Sequence, residues 1–338
     1  MKLSKTGTLC IAAFSMVILI LDTKTALNSA LLGMEVCLKS VLPSLFPFFF
    51  LSAIINDRLL GANVALIKPV ASFCKIQSGG ESLLLLGLIG GYPVGATCIQ
   101  NAHRTGALSK DQADRMLAFC NNAGPAFLFG MLIPVFMNVT SVWALWFIHI
   151  LSALIVGALI PKGKEGSVTV SHTPSLTPSQ AMQSSLRSIG VVCGWVVLFR
   201  IIIGFFDRWF LWWVPQSVQV LICGLLELSN GCLSLSSISC LGIRFIYASI
   251  FLSFGGVCVC MQTSSVIGNL SMKTYLAGKA LQTAISFILA SIAQLFLFPN
   301  DHMPLSISIS IAAILIICIP LLKKAVAFPK ILRYNGGN

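Results

Sequence analysis

Residues 87–97 read GLIGGYPVGAT, a helix-breaking run in the middle of a stretch otherwise apolar enough to cross a bilayer. Glycine loses the most backbone entropy in a helix, and Pro93 removes a donor and clashes with the preceding turn. In hydrocarbon every freed N–H and C=O needs a partner, so a broken helix persists only where protein or a wet cavity covers it. A second interruption, CNNAGPAF at Cys120–Phe127, lies in the next apolar run. Paired breaks of this kind mark sites near the bilayer midplane of transporters. The chain is therefore expected to be built around a cavity.

The composition leaves one comfortable class. Of 338 residues 57% are hydrophobic and 9% charged, and the mean hydropathy is +0.92. A soluble domain carries about 25% charged residues, so the sequence reads as an all-α polytopic membrane protein. Apolar runs begin near Gly7, Pro43, Leu83, Met116, Val142, Ile189, Val214, Ile243, Tyr275 and Leu305. About eight are expected to span, and the Leu83 and Ile243 runs to be re-entrant hairpins. The net charge of +12 is scattered among loops and is read as a topology signal, not as a nucleic-acid surface. Lys2 and Lys5 before the first span, and Lys323, Lys324, Lys330 and Arg333 after the last, put both termini in the cytoplasm by the positive-inside rule. The twelve cysteines lie mostly in apolar runs and are expected to be small buried hydrophobes.

Five segments follow from the pattern: an N-terminal span over 1–37, a first membrane half over 38–160, a flexible linker over 161–185, a second half over 186–298, and a C-terminal span with a basic tail over 299–338. The halves echo each other. Gly90-Gly91 precedes polar Thr97, Gln100 and Asn101, as Gly255-Gly256 precedes Gln262 and Thr263. The echo predicts two inverted repeats whose broken helices meet at a shared site. Ser109, with Gln112 three residues on, predicts a capping box at a helix start.

Glu227 is the lone carboxylate between Trp209 and Asp301. In a bilayer such a group normally has a partner or a function. It could couple to a proton or cation beside Ser229-Asn230-Gly231, or form an ion pair with Arg200 or Arg244. Either arginine can instead receive a carboxylate through its guanidinium fork. Asn121 and Asn122 offer neutral donors and acceptors at a break, and Tyr92 a ring to stack on and a hydroxyl. Gly90, Gly91, Tyr92, Thr97, Asn121, Asn122, Arg200, Asn230, Gln262 and Thr263 form the expected substrate site, with Glu227 coupling. His103 and His149 read as structural. No metal-ligand spacing, nucleophile elbow, P-loop or ATPase module appears, so no catalytic residue, cofactor or metal is expected.

The stretches LGLIGGYPVGA (Leu86–Ala96), GALSKDQADRML (Gly106–Leu117), CNNAGPAF and LLELSNG (Leu225–Gly231) together resemble the sporulation integral membrane protein family of endospore-forming Firmicutes. The resemblance runs from about Leu38 to about Phe298. It implies nucleoside-recognition (Gate) domains distantly similar to concentrative nucleoside transporters. It also implies movement of dipicolinic acid from mother cell to forespore, across the outer forespore membrane. The second half departs from the first in lacking a Tyr-Pro pair after Gly255-Gly256. The expected function is thus transport of a small organic anion, dipicolinate first, with a nucleoside or another carboxylate next. A non-transporting scaffold for spore assembly is the rival from another class. Expected partners are lipid, a second copy of the chain or other sporulation membrane proteins.

Overall fold

A computed structural model describes residues 5–62, 64–161, 176–304, 307 and 309. The expected C-terminal span and basic tail and most of the linker lie outside the described residues. Fifteen α-helices run in chain order within them. The first half holds α1 (Lys5–Leu21), α2 (Thr23–Val36), α3 (Leu42–Leu59), α4 (Lys68–Phe73), α5 (Glu81–Ile89), α6 (Val94–Arg104), α7 (Lys110–Leu117), α8 (Pro125–Phe136) and α9 (Val139–Leu159). The second holds α10 (Pro178–Trp209), α11 (Gln216–Leu226), α12 (Leu228–Ser234), α13 (Leu241–Phe254), α14 (Gly256–Val266) and α15 (Met272–Leu297).

Among the described residues five segments are long and apolar enough to cross a membrane: Thr23–Leu59, Val139–Leu159, Pro178–Trp209, Leu241–Val266 and Met272–Leu297. Thr6–Leu21, Pro125–Phe136 and Gln216–Leu226 are apolar but shorter. The protein is therefore an all-helical, multi-pass membrane protein. Its outside suits lipid: Phe14, Leu66 and Phe296 are exposed, and Trp212 and Trp213 stand exposed at the α10–α11 turn like an interfacial aromatic belt.

Several expected boundaries move. Residue 38 falls inside one continuous helix, because a π-helical turn at Cys37–Val41 joins α2 to α3. The linker ends earlier than 185, since Thr177 and Gln180 form a capping box with Pro178 at the first helical position. The Met116 and Val214 runs are not single spans. The first is split between α7 and α8, and the second stops at Leu226, where Glu227 takes an extended conformation. The Leu83 run is broken as expected, and α5 and α6 pack on each other on either side of Gly90–Pro93. The Ile243 run differs from the expected hairpin: α13 packs on α9 and α15, whereas α14 packs on α6, α10 and α11. The capping box at Ser109 is formed, and the described cysteines are free and mostly buried.

Long helices enclose the short ones. α10 runs along α2 and α3 on one side, and α9, α13 and α15 pack together on the other. The broken helices lie between and join the halves through α6 with α14, α7 with α15, and α8 with α12.

Candidate functional site

Three cavities lie in file along α10. The first, about 300 Å³, is lined by Ser184, Ser185 and Ser188, facing Asn56, Thr97 and Arg104. The middle one, about 30 Å³, touches Val192 and Val196 and is closed by Tyr92, Gly124, Glu227 and Gln262. The third, about 610 Å³, is lined by Arg200, Ile203 and Asp207 with Lys39, Gln219 and Asn230. The continuous helix of α2, the π-helical turn and α3 passes the same cavities in reverse order: Lys39 at the third, Leu45 at the middle, Phe49 and Asn56 at the first. From Ser184 to Asp207 a helix rises about 35 Å, close to the roughly 30 Å of a hydrocarbon core. The middle cavity has room for little more than a water molecule, so the file is closed at its centre.

That centre is where the breaks meet. Gly91 turns the chain with φ +84°, a conformation that favours glycine, and a Cβ on Gly124 would lie 3.1 Å from its Cα. In the second half Gly255 and Gly256 both have positive φ, and a Cβ on Gly256 would lie 3.2 Å from the Leu226 carbonyl oxygen. Each Gly-Gly break thus rests on another break of its own half. The turn after α7 is clasped from three sides. Cβ atoms on Gly87, Gly95 and Gly278 would fall 2.4 and 2.0 Å from the Cys120 oxygen and 2.2 Å from the Ala118 oxygen, respectively. This close approach is why GGYPVGA and CNNAGPAF occur together in one chain.

Beneath the breaks lies a fully buried polar network centred on Lys279 of α15. Its Nζ donates to Tyr92 Oη at 3.0 Å, Asn122 Oδ1 at 3.2 Å and Gln282 Oε1 at 2.7 Å, and sits 5.0 Å from the centre of the Tyr92 ring. Asn122 Nδ2 donates to the carbonyls of Gly87 (3.0 Å) and Phe119 (2.7 Å), which fixes the orientation of its amide. Gln282 Nε2 donates to Asn122 Oδ1 and to the His149 carbonyl, fixing its own. Asn121 ties the halves together: its Oδ1 accepts from Ala96 N and its Nδ2 donates to Thr263 Oγ1 at 3.1 Å. Among the described residues no carboxylate lies within ion-pair distance of Lys279. A buried cation so placed marks functional ground in a membrane protein.

Glu227 is the N-cap of α12. Its Oε1 accepts from Ser229 N at 2.9 Å, and its Oε2 from Asn230 N and Nδ2 at 2.7 and 2.6 Å. The ion pairs weighed for it are not formed. Arg200 pairs with Asp207 at 3.6 Å, and Arg244 donates to the carbonyls of Val135 and Ile238, both at 2.6 Å. Arg244 thereby ties the last turn of α8 to the turn that precedes α13. Glu227→Gln turns one acceptor into a donor facing an N–H, so we expect a loss of about 1–2 kcal/mol of stability, read by thermal unfolding in detergent. An unchanged unfolding temperature would mean that the cap is dispensable.

The expected site residues separate into layers. Tyr92, Gln262 and Glu227 border the middle cavity, Thr97 the first, and Asn230 and Arg200 the third. Asn121, Asn122 and Thr263 line none of these three and belong to the buried network, while Gly90 and Gly91 form the break itself. His149 Nε2 accepts from Ala123 N at 3.1 Å and steadies the CNNAGPAF turn. His103 meets the Leu108 carbonyl in a loop. Sequence reasoning missed Lys279 and Gln282. The signal was present, a lone ionisable residue inside the Tyr275 run with an amide three residues on.

No family model and no solved structure matches the chain. The chain is similar to "Sporulation integral membrane protein YlbJ" of Bacillus subtilis (strain 168), with 23% identity over 360 aligned positions covering 90% of this chain and 87% of that protein. The molecule is thus a multi-pass helical membrane protein related over nearly its full length to a sporulation membrane protein.

Proposed function

We propose that the protein moves a small organic anion across the membrane along the file of cavities beside α10. The observation that carries this reading is the file itself: two cavities of mixed polar and apolar lining along one helix, separated by a closed junction of broken helices. An anion suits the charge. Lys279 has no carboxylate partner among the described residues, and α8 opens at the break with the amide groups and positive end of a helix. Dipicolinate is the proposed substrate, on the resemblance to sporulation membrane proteins, and the outer forespore membrane the proposed location, with both termini cytoplasmic. The pairing of a Gly-Gly break with an Asn-bearing break in each half supports two inverted repeats of the Gate type.

In this reading Tyr92, Gln262 and Glu227 meet the substrate at the closed junction, and Glu227 is the coupling carboxylate. Thr97, Arg200 and Asn230 receive the substrate in the outer cavities. Asn121, Asn122 and Thr263 hold the junction's shape. The transport cycle needs no catalytic step and no cofactor.

Proteoliposomes holding the purified protein should take up labelled dipicolinate saturably, and excess unlabelled dipicolinate should compete. Competition by nucleosides alone would reassign the substrate. Uptake no greater than in empty liposomes for all of them would overturn the transport reading.

A further inference from the structure

Lys279 has a hydrogen-bond environment that assigns its charge. Asn122 Oδ1 and Gln282 Oε1 can only accept, because the donor atoms of both amides are committed elsewhere. Tyr92 Oη spends its proton on the Leu252 carbonyl at 3.0 Å and therefore also presents a lone pair to Nζ. Three acceptors thus face the three protons of an ammonium. The Tyr92 ring adds its negative face. The carbonyls of Gly87, in the last turn of α5, and of Phe119, two residues past the end of α7, reach the same network by accepting from Asn122 Nδ2. Three side-chain oxygens converging on one buried point make a seat for a small monovalent cation. Here the occupant is covalently attached.

We infer that Lys279 is a tethered cation that fills this seat, so that the protein works without a bound sodium or potassium ion. The inference rests on the transport reading for its activity arm only. A bound metal ion would have to be loaded and released in each cycle. The ammonium of Lys279 stays on α15 and holds the Tyr92 and Asn122 breaks together while an anion passes beside them. Its charge also offsets that of the anion, which a detachable ion would otherwise supply. Lys279 is accordingly a positioning residue: the middle cavity is bordered by Tyr92, to which it is bonded, and not by Lys279 itself.

Two readouts test this at one pH and ionic strength, with sodium, potassium, methylammonium or N-methylglucamine chloride. The unfolding temperature of the wild-type protein should be the same in all four. Lys279→Ala should unfold at a lower temperature and regain part of the difference in methylammonium, which can enter the seat that the side chain leaves. Wild-type dipicolinate uptake should differ by less than about twofold between sodium and N-methylglucamine, whereas Lys279→Ala should lose about tenfold or more per folded molecule. Wild-type uptake that requires sodium or potassium would overturn the inference, as would a Lys279→Ala protein with wild-type stability or no response to methylammonium. If the wild type takes up no dipicolinate, the transport reading fails and the unfolding temperatures still decide the tethered cation. If Lys279→Ala gives no folded protein in any of the four salts, the cation dependence of the wild type decides it.

Discussion

Gly95→Ala is expected to leave little or no correctly folded protein, although it adds a single methyl group. The new Cβ would sit 2.0 Å from the Cys120 carbonyl oxygen and 3.0 Å from the Asn121 Cα. Both are backbone, so no side chain can swing away. Relief requires α6 to lift off the turn, which stretches the bond from Ala96 N to Asn121 Oδ1 and with it the Asn121–Thr263 tie between the halves. Gly87 and Gly278 hold the same turn from α5 and α15, leaving it no direction in which to retreat. Overpacking a core costs about 1–3 kcal/mol, and here the loss of buried hydrogen bonds adds to it. Gly130→Ala is the control. A Cβ there meets nothing within 4 Å, and alanine improves helix propensity by up to about 1 kcal/mol. Size-exclusion profiles and unfolding temperatures in detergent read both variants. A monodisperse Gly95→Ala protein with the wild-type unfolding temperature would show that the contact is not tight in the folded molecule.

The sequence displayed the breaks and hid their partners. Gly90-Gly91-Tyr92-Pro93 and Asn121–Pro125 are legible because glycine and proline act locally, whatever surrounds them. Glu227 stands out because a carboxylate in an apolar stretch is conspicuous, yet its role as a cap depends on the Ser229 and Asn230 amides that the fold places ahead of it. Asn122 shows the limit of such reading. An amide beside a break is equally able to meet a substrate or to bind the chain, and its bonds within the chain follow only from the positions of Gly87, Phe119, Lys279 and Gln282. Lys279 lies more than 150 residues from Asn122 in the chain, and no local pattern announces that contact. The number of spans is hard to read for a related reason. Hydropathy counts the Met116 run as one crossing although CNNAGPAF interrupts it, because it cannot tell a crossing from two short helices joined at a break.

Closing the middle of the file should abolish uptake without unfolding the protein. Val196 is buried on α10 and borders the 30 Å³ cavity, between Ser188 at the first cavity and Arg200 at the third. A Trp side chain there exceeds the free space. The cavity is bordered by the side chains of Tyr92, Phe127 and Gln262 as well as by backbone, so neighbouring side chains take up part of the bulk. The stability cost is expected to stay near the roughly 1–3 kcal/mol typical of overpacking. Leu198, two residues on, is 46% exposed on the outer face of the same helix and provides the matched control. The decisive measurement is the initial rate of labelled dipicolinate uptake by proteoliposomes, per folded molecule, for the wild type, Val196→Trp and Leu198→Trp. Background uptake is expected for Val196→Trp, and a rate within about twofold of the wild type for Leu198→Trp, whose side chain borders none of the three cavities. Wild-type uptake by a folded Val196→Trp protein would contradict transport along this file, because the solute would then cross somewhere other than the junction of the breaks.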